Sequence, residues 1–362
     1  MKSIPTHRFF LACLASSALM MGLHDGHDHA PAVQEAETDQ AKTEFVATPW
    51  AVGDHTWTAI PDWGQADDFT IGNTHGTVLV VPDGRVLFNT DHGQGVLVYD
   101  PDGTLQKKIA VDFPGIHGMQ MVIEEGKPML YGAHLPGKQA VKMDLDGNAI
   151  WTIGIPTESG KYDDNPGAYN PTAIAVAPDG RIYVADGYGR NWIHMYGPDR
   201  SYIKSFGGPG RKDGTFQTCH GLGMDTSGKE PMLVVCDREN RRLQRFNLDG
   251  EFVDVPVKGL KRPCAIAFWT MPDGKQIAAV AELQGRVTIL DSDWKVMGHV
   301  GSNQNPNQQA RNGVGKSDWV AGVTTAPHGV GFDADGNLYV QDWNAHGRVH
   351  KFIRTSGEQA SP

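Results

Sequence analysis

Gly115-Ile116-His117-Gly118-Met119 returns twice, as Thr218-Cys219-His220-Gly221-Leu222 and as Ala326-Pro327-His328-Gly329-Val330. The intervals between the three histidines are nearly equal. Each His-Gly opens an apolar run, and each run ends in a turn rich in Asp, Gly or Glu before a second apolar run begins. A polar residue that recurs at the start of a strand, at one long period, points to a closed and repeating architecture. If each interval holds two repeats, the histidines come from alternate blades of a six-bladed propeller and meet on its axis.

The hairpins between the histidines support that count. Arg85-Val86-Leu87-Phe88 follows Pro82-Asp83-Gly84, Arg181-Ile182-Tyr183-Val184 follows Pro178-Asp179-Gly180, and Asn337-Leu338-Tyr339-Val340 follows Ala334-Asp335-Gly336. Asp-Gly between two alternating apolar runs is a strong hairpin signal. Third strands follow at Val96, Ala140, Trp192, Arg242, Val287 and Val349, and fourth strands often follow a further Asp-Gly, as at Asp102-Gly103. The expectation is therefore an all-β, six-bladed propeller whose blades begin near His75, His117, Pro171, His220, Pro263 and His328. The last blade lacks a fourth strand. Thr56-Trp57-Thr58-Ala59-Ile60 precedes the first blade and can supply it, leaving no open edge. Two long connections, 156–170 and 302–323, read as binding loops or mobile insertions.

The chain has 362 residues, 40% hydrophobic and 20% charged, with 44 glycines and a formal net charge of −10. That is a globular composition with room for a large core. No basic stripe or arginine-rich arm is present, so no nucleic-acid partner is expected. Met1–Leu23 carries a basic start and an apolar run of secretory type, with cleavage expected somewhere between 22 and 32. An N-terminal membrane anchor is the competing reading, but the run is short for a spanning helix and no later segment could span. The expected order is a signal peptide at 1–23, an acidic, His-containing linker at 24–55, the propeller at 56–353 and a tail at 354–362, in a secreted or periplasmic protein. Cys13 falls within the signal segment, which leaves Cys219, Cys236 and Cys264. A Cys219–Cys236 bridge fits an oxidising compartment; buried thiols are the other reading.

Three imidazoles on one axis with a fourth position open are what a catalytic zinc requires. His117, His220 and His328 are thus the candidate metal ligands, and Zn2+ is the expected ion. Ligand type alone also admits iron, copper or manganese. Thr172 and Cys264 stand at the matching place in other blades, so folding does not demand His there. His75 is a fourth candidate, but it falls one residue out of register and is expected close to the site rather than as a ligand. Asp186, Asp237 and Asp342 end second strands and read as turn-binding carboxylates. Asp91-His92 and His134 end the corresponding strands of the first two blades. Tyr188 and Arg238 follow two of these acids and should rise beside the histidines. A phenol can carry a proton and an arginine fork can hold a carboxylate.

Asp186-Gly187-Tyr188, Asn191-Trp192-Ile193-His194-Met195-Tyr196, Cys219-His220-Gly221-Leu222 and Val235-Cys236-Asp237-Arg238-Glu239-Asn240 resemble the NHL-repeat propeller of peptidyl-α-hydroxyglycine α-amidating lyase. Ile116-His117-Gly118 and Pro327-His328-Gly329 fit the other histidine positions of that family, and the resemblance spans about residues 56–353. It implies a zinc held by His117, His220 and His328, with Tyr188 and Arg238 catalytic. The implied reaction cleaves the N–Cα bond of a C-terminal α-hydroxyglycine, giving a peptide amide and glyoxylate. The expected partner is accordingly a small molecule or a peptide C-terminus. The chain departs from the family in three places. No arginine ends the second strand of the first blade, where Phe88-Asn89-Thr90-Asp91-His92 stands. Gly329 replaces the Asp that helps hold a structural calcium, so Ca2+ is not expected. Gly189 replaces a cysteine. The alternatives are a non-catalytic propeller that binds a protein partner on one face, and a lactonase-like hydrolase, whose carboxylate-lined calcium site is not matched here.

Overall fold

The computed structural model describes residues 49–65, 69–91 and 93–356. The expected signal segment, most of the linker, His92 and the last six residues lie outside them. The protein is all-β, with six antiparallel sheets arranged as a six-bladed propeller. Five blades are four-stranded meanders whose first strands are Thr74–Val80, Ile116–Glu124, Ala173–Val176, Cys219–Asp225 and Pro263–Thr270. In the sixth, Pro327–Phe332, Leu338–Asp342 and Arg348–Ser356 are joined by His55–Ile60 from the other end of the chain. The first strands contact one another in succession, and the sixth returns to the first. Among the described residues the helical segments are three short 3-10 turns, and no helix is long and apolar enough to cross a membrane.

Local chemistry sets the turns. Gly84, Gly180 and Gly336 take φ of 88°, 87° and 78°, the left-handed conformation that a tight Asp-Gly hairpin needs. In the first two of these turns the preceding aspartate accepts the backbone N–H of the following arginine: Asp83 from Arg85 and Asp179 from Arg181, each at 3.1 Å. Alternation then buries one face of each blade against the next. Six separate apolar clusters result, one at each interface between neighbouring blades. The cluster between blades three and four, for example, sets Tyr183 and Ile193 against Cys219, Leu233 and Val235.

Ring closure runs as expected, with Ala59 opposite Phe352 and Ile60 opposite Lys351. Trp57 is fully buried and its indole N–H donates to the Gly336 carbonyl at 3.1 Å. Two boundaries move. Trp50–Val52, expected in the linker, pairs with His55, Thr56 and Trp57 as a fifth, outermost strand, and Val52 is buried against blade five. At the other end the last strand continues to Ser356. The connection 156–170 is packed rather than loose: Tyr162 and Tyr169 are buried, and the Tyr162 hydroxyl bonds Asp186 at 2.6 Å and the His194 ring at 2.8 Å.

The Cys219–Cys236 bridge does not form; these two and Cys264 are buried free thiols. The reason is a bulge. Cys219 lies opposite Asp237 and Gly221 opposite Cys236, so His220 is an extra residue in the ladder. That insertion sends Cys219 into the interface with blade three and Cys236 into the interface with blade five. A single sheet then separates the two sulfurs.

Because one indole supports both the closing strand and the last interface, Trp57→Ala should destabilise the whole ring. Urea unfolding should lose about 3–5 kcal/mol, the cost of removing a large buried aromatic. A midpoint unchanged from the native protein would show that the N-terminal strand does not close the propeller.

Candidate metal centre on the propeller axis

The bulge that separates the cysteines is repeated in three other blades. Ile116 pairs with His134 and Gly118 with Ala133, leaving His117 extra. Pro327 pairs with Asp342 and Gly329 with Gln341, leaving His328 extra. Pro263 pairs with Glu282 and Ala265 with Ala281, leaving Cys264 extra. An inserted residue re-aims its side chain out of the normal alternation. The following glycine is what lets the blades approach. A Cβ on Gly118, Gly221 or Gly329 would stand 2.5, 2.2 or 2.5 Å from the Thr172, Cys264 or Gly76 carbonyl oxygen of the neighbouring blade.

Those same carbonyls hold the histidines. Nδ1 of His117 lies 2.7 Å from the Thr172 oxygen, that of His220 2.8 Å from Cys264, and that of His328 3.0 Å from Gly76. A carbonyl oxygen only accepts, so each Nδ1 carries the proton and each Nε2 carries a lone pair. Burial holds all three imidazoles well below the ordinary histidine pKa, so they are neutral. The ring centroids are 4.8, 4.8 and 4.6 Å apart. Nε2 of His117 and of His328 are buried with no protein partner. A buried polar atom left without a partner is costly, and two side by side need something to bind them. Neutral imidazole nitrogens are metal ligands, so these donors fit a cation on the axis.

The three rings thus stand side by side, and His75 and Cys264, noted in the sequence near these positions, share the donor groups. Donor atoms of His75, His117 and His328 lie within 4.8 Å of one another, and so do those of His220, Cys264 and His328. His75 reaches the site through a wider bulge: Thr74 pairs with Thr90 and the next registered pair is Val78 with Phe88. Asn89 spans the gap, donating to the His75 carbonyl and accepting from the Thr77 N–H, both at 2.8 Å. Asp91 bonds His75 Nδ1 at 3.0 Å from behind.

Tyr188 and Arg238 stand beside the histidines. The Tyr188 hydroxyl donates to His220 Nε2 at 3.0 Å and accepts from Arg238 Nη1 at 3.1 Å. Burial pushes the phenol up to about 12, and the Arg238 charge works against that rise. Arg238 Nε donates to Glu239 at 2.9 Å, and Arg262 clasps the same carboxylate at 2.6 Å. Neither Glu239 nor Arg262 was singled out from the sequence, although Arg262 immediately precedes the Pro263-Cys264 strand start. Two guanidiniums on one carboxylate leave a positive balance at the rim, suited to an anionic ligand.

The strand-ending aspartates are structural, as expected. Asp186 accepts the Asn170 N–H, Asp237 the Gln217 N–H, and Asp342 the Thr325 and Ala326 N–H groups. Below the histidines an axial cavity of about 300 Å3 runs between the first strands, lined by Met119, Met121, Met224, Phe268 and Phe332 among others.

An NHL repeat model matches residues 169–196, within blade three. Over 199 residues the chain is 29% and 28% identical to the peptidyl-glycine alpha-amidating monooxygenases B and A of Xenopus laevis, covering 53% of this chain and 21% and 20% of those proteins. A probable peptidyl-alpha-hydroxyglycine alpha-amidating lyase of Caenorhabditis elegans is 25% identical over 177 residues, 47% of this chain and 45% of that one. The chain thus matches about a fifth of the length of the first two and under half of the third. A streptogramin B lyase aligns with a TM-score of 0.54 at 13% identity, covering 83% of this chain and 98% of the other. A gluconolactonase from Xanthomonas campestris aligns at 0.55 and 16%, covering 84% and 91%. At these identities the two structures speak to the fold alone. The chain is a six-bladed propeller with an NHL repeat in its third blade, and it resembles peptidyl-α-hydroxyglycine α-amidating lyase.

Proposed function

We propose that this protein is a secreted or periplasmic, zinc-dependent lyase that splits the N–Cα bond of a C-terminal α-hydroxyglycine and releases glyoxylate. The observation that carries this reading is the pair of buried, unpartnered Nε2 atoms of His117 and His328, in rings fixed through Nδ1, next to Tyr188 and Arg238. His117, His220 and His328 are the ligands. A zinc ion supplies Lewis acidity towards a hydroxyl or carbonyl oxygen in such a site. Tyr188 holds and moves a proton at Oη, the atom already shared between His220 and Arg238. Were His220 Nε2 to hold an ion, the Tyr188 hydroxyl would give up its bond to that ring and could meet a substrate hydroxyl. Arg238 offers its fork to the substrate carboxylate, braced from behind by Glu239. The secretory character of residues 1–23 supports the compartment. Calcium has no place in this reading, since Gly329 brings no carboxylate and its Cβ position lies against the Gly76 oxygen.

The substrate shell differs from that of the lyases. The first-blade stretch where the family carries an arginine has none here, and its Asp91 is bonded to His75. Carboxylate binding in this reading therefore rests on Arg238, with Arg262 at the rim.

Purified protein should hold one divalent ion per chain by elemental analysis, and His117→Ala or His328→Ala should lose it. Metal-free native protein would refute the centre. With α-hydroxyhippurate as substrate, the native protein should release glyoxylate. Tyr188→Phe should slow this by about 10²–10⁴-fold with the ion retained, because it removes a proton carrier and no ligand. Arg238→Lys should also fail, since an ammonium does not reproduce the two-pronged contact. Full activity in Tyr188→Phe would refute the assigned role, and an inert native protein would favour a non-catalytic propeller that binds a partner on one face.

A further inference from the structure

Four blades insert one extra residue at the axial end of the first strand: His117, His220, Cys264 and His328. The cysteine thus occupies the position that presents an imidazole in each of the other three. Its sulfur lies within 4.8 Å of donor atoms of both His220 and His328. Little else claims it. Cys264 is 1% exposed; its thiol makes a long contact of 3.7 Å to the Arg262 carbonyl, with the Arg238 guanidinium beside it. The other non-histidine at this level behaves differently. Thr172 spends its hydroxyl on the Cys219 and Ala185 carbonyls, at 3.0 and 3.3 Å, and so stitches blades together. Cys219 and Cys236 are turned into interface clusters. Among the described residues, Cys264 is the cysteine whose sulfur stands within reach of histidine donors at the axis, those of His220 and His328.

We propose that Cys264 is a fourth protein ligand of the axial metal, so that the resting ion sits among three imidazoles and a thiolate. This rests on the metal-centre reading given above. Sulfur and imidazole nitrogen together are a standard tetrahedral zinc set. The thiol gives up its proton to solvent as the sulfur–metal bond forms. Arg238 lies near enough to act on the Cys264 sulfur and offsets part of the thiolate charge. Turnover at such a centre requires the ion to expand its coordination or to release the sulfur, which sets it apart from an open three-histidine site.

Cobalt distinguishes the possibilities. Full-length protein stripped of metal is titrated with Co2+, and its absorption is read for the near-ultraviolet sulfur-to-cobalt charge-transfer band. The band should develop with one cobalt per chain in the native protein and in Cys236→Ala. It should be lost in Cys264→Ala and Cys264→Ser while cobalt stays bound, with far-ultraviolet circular dichroism verifying that both variants are folded. Stoichiometric cobalt without the band, or a band that survives in Cys264→Ala, would overturn the ligand and leave the histidine centre standing. Failure of the native protein to bind cobalt would remove the centre and this ligand with it.

Discussion

The structure depends on one contact made three times: a histidine Nδ1–H donating across the blade interface to a carbonyl near the start of the next blade's first strand. His117 reaches Thr172, His220 reaches Cys264 and His328 reaches Gly76. The contact works only because the residue after each histidine has no side chain. With a Cβ at Gly221 the Cys264 oxygen would be 2.2 Å away, and the blades would have to part. The same bond fixes the ring orientation and the tautomer. Blade spacing, ring closure and donor geometry are thus set together, and a site at the axis is a consequence of how the propeller closes.

Two opposed requirements meet there. Burial strips the imidazoles of charge and makes them good ligands. It also leaves Nε2 atoms of His117 and His328 unpaired at the centre of the molecule, a cost that the interface clusters offset and that a cation would relieve. Immediately above, Arg238, Glu239 and Arg262 make the rim positive, and Tyr188 links that rim to His220. A neutral donor set beneath a positive rim suits an anion seated over a metal better than a second cation.

Much of this was legible in the chain because its causes are local. The His-Gly words mark the places where blades touch, and the Asp-Gly turns mark the hairpins. The acids at Asp186, Asp237 and Asp342 announce strand ends through their backbone bonds. What was not legible depends on parity and on distant partners. A bulge at His220 reverses the facing of Cys219, and no reading of two cysteines in neighbouring strands can anticipate that without the register. The displacement of His75 comes from Asn89 bridging a wider bulge, a side-chain bond invisible in spacing. Trp50–Val52 is too short to show alternation and is recruited by Gly322 and blade five. Cys264 was seen to share the histidine position, but its reach to two imidazoles had to come from the folded ring.

The central claim is that the axis holds a metal between the three histidines. Crystals of the purified protein, with diffraction recorded on either side of the zinc absorption edge, address it most directly. An anomalous peak between the His117, His220 and His328 rings, present above the edge and absent below it, is the result expected. Well-ordered imidazoles around a centre with no anomalous density, even after soaking in zinc, would contradict it.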